Sequence, residues 1–259
     1  MKVGFVGSGN MATGIARGWA AARDEPGAPE AMLFADADAA KAEELAAEVG
    51  GEAVSSNREV AEAADLVLLA VKPSVLDEVG DELKDAGRPV ISILAATPME
   101  RLRSALPGLE VTRVMPNLGA QLRQAVICVV YPEDLSNGRR VELDKLLGLL
   151  GEVIELEEKL IDAATAVMGC SPGYLALVAD AMVEGGVKEG LSEDQARRMI
   201  SRAMSATGGL LEHHAPADLK QAVASPGGMT EAGLEALEKR MIRETFLAAV
   251  EASLDRVRG

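Results

Sequence analysis

The sequence predicts an α/β fold in which a mainly parallel sheet domain is followed by an all-helical domain. From residue 1 to residue 157, short apolar runs alternate with amphipathic stretches, a pattern typical of parallel strands covered by helices. After residue 157, helical patterns follow one another to the end of the chain without another convincing strand. We therefore expect one domain at residues 1–157 and a second at residues 158–259.

The strands are predicted from runs rich in Val, Ile, Leu, Phe and Met. Amphipathic stretches at residues 37–49 and 75–86 predict helices between them. In the second domain, helix boundaries are expected at Pro172, Gly190, Pro216 and the Pro-Gly-Gly sequence at residues 226–228. The predicted strands are residues 3–6, 32–35, 66–71, 90–94, 111–115 and 125–130, and residues 151–156 are a candidate edge strand.

The composition excludes several classes of ligand. A formal net charge of −15 opposes binding along a nucleic acid, because such binding neutralises phosphates with Lys and Arg. No apolar run reaches the ~20 residues of a membrane span, and the chain opens on a strand pattern rather than on a signal segment. The two cysteines, Cys128 and Cys170, have no histidines nearby, so no metal site is expected. We expect a cytoplasmic protein that binds small ligands.

Residues 2–12 combine a strand, the pattern G-x-G-x-x-A and the start of a helix that is expected to run to about residue 23. Gly7 permits a tight turn, Gly9 lets a pyrophosphate approach the backbone, and Ala12 lets helix and strand pack closely. The alternative is a strand–turn–helix without a ligand. The context favours a dinucleotide site of the Rossmann type, formed by Gly7, Ser8, Gly9, Asn10, Met11 and Ala12.

Asp36 directly follows the second predicted strand. An acidic residue at this point accepts a hydrogen bond from the adenosine ribose and repels a 2′-phosphate. No arginine follows it immediately, and the nearest cation is Lys41. The charge therefore favours NADH over NADPH as the cofactor. Asp36 could equally cap the helix expected from Ala37, and one side chain can serve both roles.

A second candidate site lies where a helical pattern breaks at residues 225–228 and a new helix begins near Thr230. The adjacent glycines Gly227 and Gly228 leave the backbone accessible. The first turn of the new helix presents unpaired N–H groups that suit a small carboxylate, with the Thr230 hydroxyl beside them. The alternative is a plain helix–turn–helix corner in which Thr230 is the N-cap.

These motifs, in this order, resemble the pyrroline-5-carboxylate reductase family along nearly the full length of the chain. The resemblance implies a Rossmann domain and a helical domain that pairs with a second subunit, in homodimers that often assemble into decamers. It implies reduction of 1-pyrroline-5-carboxylate to L-proline by hydride transfer from NAD(P)H, the last step of proline biosynthesis. The matching segments are residues 7–12, Asn57 before a helix, Ala70-Val71-Lys72-Pro73, Met115-Pro-Asn117 and Ser225-Pro-Gly-Gly-Met-Thr230.

The resemblance also implies site residues beyond the glycine loop and Asp36. The corner at residues 225–230 of one subunit is expected to complete the site over the nicotinamide of the other, with Thr230 as the catalytic residue that orients the imine. The remaining cofactor residues are Asn57, Ala70, Val71, Lys72, Pro73, Ala95, Ala96 and Asn117, and the substrate residues are Val223, Ser225, Gly227, Gly228, Met229 and Thr230.

Three segments depart from the family pattern. Leu118-Gly119 replaces the usual Thr-Pro, residues 168–173 read M-G-C-S-P-G instead of S-G-S-G-P-A, and Thr97 replaces a glycine. These changes keep open a paralogue that reduces another cyclic imine. A non-catalytic NAD(H)-binding sensor is a further alternative. A β-hydroxyacid dehydrogenase is disfavoured, since its base is a lysine early in the helix after Pro172 and the first lysine here is Lys188.

Overall fold

The computed structural model describes residues 1–258. It divides into two compact units, of which the first comprises Met1–Gly169 with the chain end from Arg256 and the second comprises Cys170–Asp255. The first unit holds one sheet of eight strands. The strands are β1 (Lys2–Val6), β2 (Ala31–Ala35), β3 (Glu52–Ala53), β4 (Leu66–Leu69), β5 (Val90–Ser92), β6 (Val111–Pro116), β7 (Ala125–Val130) and β8 (Gly151–Glu155).

The order of the strands in the sheet is β3-β2-β1-β4-β5-β6-β7-β8. All neighbouring pairs are parallel except β6 and β7. The mainly parallel sheet is therefore confirmed, and so is the candidate edge strand β8. Three strands end earlier than expected: β4 ends at Leu69, β5 at Ser92 and β8 at Glu155. Strand β3 was not predicted, since two residues are too short to form a pattern.

Helices cover both faces of this sheet, as the largely apolar inner strands require. On one face Phe5 stacks on Phe34 with ring centroids 4.6 Å apart and meets the edge of Trp19 at 5.8 Å. On the other face Leu69 packs in a cluster with Leu76 and Leu102. The helices are α1 (Asn10–Ala21), α2 (Ala39–Val49), α3 (Asn57–Ala63), α4 (Leu76–Leu83), α5 (Met99–Ala105), α6 (Asn137–Gly148) and α7 (Ile161–Ala164).

The chain from Cys170 onward is described entirely as helices and the turns between them, which confirms the all-helical second half. Its apolar side chains are poorly covered within the unit: Leu177 is 69% exposed and Leu247 is 70% exposed. Apolar surface of this extent marks an interaction face. The helices are α8 (Ser171–Lys188), α9 (Glu193–Leu211), α10 (Pro216–Val223), α11 (Met229–Lys239) and α12 (Ile242–Arg258).

One stretch of the described chain, Glu158–Lys188, is long and apolar enough to cross a membrane by length and composition. The sequence analysis missed it, because the apolar residues are interrupted by small and polar ones rather than forming an unbroken run. Length and composition alone are weak evidence for a span, since apolar helices of soluble proteins pass the same test. A subunit interface is an equal physical explanation for exposed apolar helix faces.

Exchange of Gly18 tests the packing of α1 on the turn that follows β6. A Cβ at Gly18 would lie 2.2 Å from the carbonyl oxygen of Ala120, whereas one at Gly14 of the same helix would meet nothing closer than 3.9 Å. We expect Gly18→Ala to lower the free energy of unfolding by about 1–3 kcal/mol through overpacking. Gly14→Ala is the matched control and should be neutral or stabilising by up to ~1 kcal/mol. Urea unfolding of both variants measures the difference, and equal stabilities would contradict the packing.

Candidate active site

The glycine loop follows β1 at the carboxyl edge of the sheet. Gly7 has a φ of +100°, and a Cβ built on it would lie 2.6 Å from the carbonyl oxygen of Ala70. Its N–H donates to the carbonyl of Ala35 at 2.8 Å. Only glycine tolerates both the positive φ and the close approach to Ala70. The loop therefore lies directly against the ends of β2 and β4, the two strands that flank β1. This is the point where the strand order reverses, and open α/β sheets bind ligands in the crevice at such a point.

The loop then opens into α1 without a side-chain cap. Gly9 is the N-cap residue, with an extended backbone. No atom of the described chain lies within 4 Å of a Cβ built on it. The neighbouring Ser8 is buried, and its hydroxyl has no hydrogen-bond partner among the described residues. Unpaired first-turn amides, open space and a buried free hydroxyl together fit the pyrophosphate of a dinucleotide.

Asp36 lies at the end of β2 and faces the glycine loop. One carboxylate oxygen accepts from the Ser8 N–H at 2.7 Å and the other from the Asp38 N–H at 2.9 Å. Asp38, not Asp36, is the N-cap residue of α2. Because a carboxylate can accept about four hydrogen bonds, Asp36 retains acceptor capacity for a ribose hydroxyl. The nearest cation, Lys41, lies 3.7 Å from Asp38 and leaves the charge of Asp36 unpaired by Lys or Arg in the described chain.

The other expected cofactor residues gather along the same carboxyl edge. The segment from Ala70 follows β4, Ala95 and Ala96 follow β5, and Asn117 follows β6. Asn57 begins α3, which runs back toward the start of β4, so Asn57 also lies at this edge. The structure thus brings together the loops after β1, β2, β4, β5 and β6. Contact of these residues with a dinucleotide stays a prediction.

Two of these loops are held by specific hydrogen bonds. Ala96 adopts the left-handed conformation with φ +53°, and the buried Thr97 beside it donates its hydroxyl hydrogen to the carbonyl of Ala95 at 3.0 Å. Asn117 accepts from the N–H of Gly119 and donates to the carbonyl of Met168 at 3.2 Å. The side-chain amide of Asn117 is therefore already bound within the protein.

The corner between α10 and α11 differs from the capping alternative. The N-cap residue is Gly228, without a side-chain cap, and Thr230 is the second residue of α11. The interpretation of Thr230 as the N-cap is therefore wrong, because the N-cap lies two residues earlier, at Gly228. The Thr230 side chain is exposed, and its hydroxyl has no hydrogen-bond partner in the described part of the chain.

The amides at this corner are only partly available. Gly228 N–H donates to the carbonyl of Ser225 at 2.9 Å, and Gly227 N–H donates to a carboxylate oxygen of Glu231 at 2.6 Å. The first intrahelical acceptor is Gly228, which binds the N–H of Ala232. The unclaimed amides of the first turn are therefore those of Met229, Thr230 and Glu231. The sequence analysis missed the role of Glu231, although a Glu in a first helical turn is a known signal for backbone capping.

Two further expected substrate residues flank this corner. Val223 is the last residue of α10, and its side chain is more than half exposed. Met229 is 94% exposed at the first position of α11. Both therefore present apolar surface beside the unclaimed amides, as a pocket for a small ring requires.

The loop, the acidic strand end and the sheet topology define a dinucleotide-binding protein of the Rossmann class. Comparison with protein families agrees, since residues 2–96 match the family described as NADP oxidoreductase, coenzyme F420-dependent. Residues 158–259 match the family described as pyrroline-5-carboxylate reductase dimerisation.

Relatives of known identity cover the whole chain. Pyrroline-5-carboxylate reductase of Synechocystis is 33% identical over 99% of this chain and 97% of its own length. The enzyme of Thermus thermophilus is 34% identical over the same shares of both chains. A crystal structure of Plasmodium falciparum pyrroline carboxylate reductase with NADP bound matches with a TM-score of 0.87 at 25% identity, covering 99% of this chain and 97% of the other. The chain belongs to the pyrroline-5-carboxylate reductase family.

Exchange of Gly9 tests the glycine loop as a dinucleotide site. Gly9→Ala places a methyl group in the open space beside the first turn of α1, where the pyrophosphate is expected. We expect the Kd for NADH, measured by isothermal titration calorimetry, to rise on the order of 10-fold or more at an unchanged Tm. Gly138→Ala makes the same change in α6, also in open space, and should leave the Kd unaltered. Unchanged NADH binding by Gly9→Ala would contradict the site.

Proposed function

We propose that this chain reduces 1-pyrroline-5-carboxylate to L-proline with NAD(P)H, as the last step of proline biosynthesis. The observation that carries the proposal is the start of α11, where three unclaimed amides stand beside the free Thr230 hydroxyl. This corner suits a ligand that has a carboxylate next to a polar N–H group. Relatives named pyrroline-5-carboxylate reductase match the chain along nearly its whole length.

The reduction of a protonated imine does not require a general acid or base from the protein. The bound reduced dinucleotide supplies a hydride to the imine carbon. The amides of Met229, Thr230 and Glu231 hold the carboxylate, and the Thr230 hydroxyl accepts from the N–H of the protonated imine and orients it. Because the imine nitrogen is basic, its proton arrives with the substrate and becomes the N–H of proline. Hydride and proton thus both reach the C=N bond without a strongly tuned general acid.

The cofactor is held by the loops at the carboxyl edge of the sheet. The first turn of α1 binds the pyrophosphate and Asp36 binds the adenosine ribose. The remaining contacts come from Asn57, Ala70 to Pro73, Ala95, Ala96 and the backbone at Asn117. The Asp36 charge favours NADH over NADPH. The corner at residues 225–230 serves the nicotinamide that is bound by the partner subunit of the dimer.

The protein is a homo-oligomer, because residues 158–259 match a dimerisation domain and their apolar helix faces are exposed in the single chain. We place the functional boundary between the two domains at residue 158, where that match begins. The dimers further associate into a decamer of five dimers, which mass photometry distinguishes from a free dimer. The protein acts in the cytoplasm, on a small-molecule substrate.

Two other functions are disfavoured. A β-hydroxyacid dehydrogenase would need a lysine early in the helix after the junction, but Lys188 is the last residue of α8 and pairs with Glu184 at 2.8 Å. A sensor that binds NAD(H) without turnover has no need for the unclaimed amides and free hydroxyl at the start of α11. The assay is loss of NAD(P)H absorbance with racemic pyrroline-5-carboxylate, beside proline-dependent reduction of NAD at high pH. Tight NADH binding with neither reaction would overturn the proposed function.

Exchange of Thr230 tests the orienting role of its hydroxyl. Thr230→Val keeps the shape and removes the hydroxyl, so we expect kcat to fall on the order of 10–100-fold with the Tm little changed. Thr230→Ser keeps the hydroxyl and is the matched control, with a kcat within a few-fold of the wild type. Steady-state rates at saturating NADH decide the matter. A Thr230→Val variant as fast as the wild type would rule out the role.

Exchange of Asp36 tests the cofactor preference. Asp36→Asn removes the charge but keeps an oxygen for the Ser8 N–H. We expect the ratio of kcat/KM for NADPH to that for NADH to rise on the order of 10-fold, because the repulsion of the 2′-phosphate is lost. Asp38→Asn, which alters an exposed neighbour at the start of α2, is the control. A wild type that strongly prefers NADPH, or an Asp36→Asn variant with an unaltered ratio, would refute the preference.

A further inference from the structure

On one face of β6, the part toward the carboxyl end of the strand contacts a single segment of the chain. Arg113, Met115 and Asn117 are alternate residues of the strand and its end, and alternate residues of a strand share a face. All three contact residues 158–169, which we call the junction segment. It comprises a 3₁₀ turn at Glu158–Leu160, α7, and a π-helical turn at Thr165–Gly169. The junction segment begins where the match to the dimerisation family begins and continues directly into α8.

Arg113 makes the first of these contacts as a buried cation. Its side chain is 2% exposed and lies 2.5 Å from Glu158 and 3.4 Å from Asp162. The same oxygen of Glu158 accepts from the N–H of Met99 at 2.9 Å, at the start of α5. A buried arginine is strongly destabilising when its carboxylates are removed. The pair therefore fixes the first turn of the junction segment to the sheet.

The other two contacts continue along the strand. Met115 packs in a small apolar cluster with Cys128 and Ile161. Asn117 donates to the carbonyl of Met168, in the π-helical turn. Such turns lack the usual hydrogen-bond pattern and occur at functional sites. An ion pair, an apolar contact and a hydrogen bond thus hold the junction segment at three points, on a strand whose end lies at the cofactor edge.

We propose that Arg113 is a positioning residue, which fixes the junction segment from which the chain continues into α8, and that turnover of the imine depends on this fixed segment. This role rests on the proposed function, because there the substrate corner comes from the partner subunit. The dinucleotide loops after β1, β2 and β4 include neither Arg113 nor its carboxylates, whereas Asn117 after β6 is hydrogen-bonded to the junction segment. Loss of Arg113 is therefore expected to affect the imine and the dimer more strongly than dinucleotide binding.

The test combines hydrogen exchange with kinetics on the full-length protein. Arg113→Gln removes the cation, and Glu158→Gln, at the more exposed end of the pair, serves if the first variant does not fold. Arg101→Gln is the matched control, since Arg101 pairs with Asp77 at 2.7 Å on the surface of the same unit. Arg113→Lys keeps the charge but loses the forked guanidinium that reaches two carboxylates. Its imine kinetics and amide exchange should therefore lie between those of Arg113→Gln and the wild type.

The expected result is faster amide exchange across residues 158–169 and a kcat/KM for the imine that falls on the order of 10-fold. The Kd for NADH should stay within twofold, and the control should match the wild type. Unchanged exchange in the junction segment would overturn the proposal, and so would a lower Tm with unaltered imine kinetics or an equal loss of NADH binding. If the wild type does not reduce the imine, the proposed function is wrong. The role of Arg113 in fixing the junction segment is then still tested by hydrogen exchange and by the dimer dissociation constant.

Discussion

Both candidate ligand sites depend on peptide N–H groups that a helix cannot pair within itself. At the starts of α3, α6 and α9, a serine hydroxyl accepts one of these hydrogens. At the starts of α1 and α11 the cap is a glycine that offers no such acceptor. In a chain with a net charge of −15 the general field repels anions. We therefore expect negatively charged groups to bind only at backbone positions where the local helix dipole outweighs the distant charge.

Strand β6 links the carboxyl edge of the sheet to the junction segment. Its end contributes to the carboxyl edge where the dinucleotide loops meet, and one of its faces holds the junction segment. The strand alternation that buries Val114 on one side is what presents Arg113 and Met115 to the other. A shift of register by one residue would exchange these faces. The parallel pairing with β5 and the antiparallel pairing with β7 both prevent that shift.

Local patterns made most of the fold predictable. The alternation of strands and helices gave the parallel sheet, and the spacing of Gly7, Gly9 and Ala12 gave the nucleotide loop. The ion pair of Arg113 with Glu158 was missed, because it joins residues 45 positions apart and the sequence contains many Arg and Glu residues on exposed surfaces. The start of α11 was placed near Thr230 instead of after Gly228, because threonine is a preferred N-cap residue. The hydrogen bond from the Gly227 amide to Glu231 is local, and the glutamate in the first turn is a signal from which it could have been predicted.

The antiparallel direction of β7 places the turn after this strand at the edge of the sheet opposite the nucleotide loops. Because β7 runs antiparallel to β6, the turn that follows Val130 lies at the amino edge, opposite the nucleotide loops. Glu133 and Asp134 are exposed there. Loop tips of this kind tolerate inserted sequence, and a fluorophore or an immobilisation tag at this turn would leave the ligand edge unobstructed. The protein thus offers an attachment point for single-molecule or surface-bound measurements.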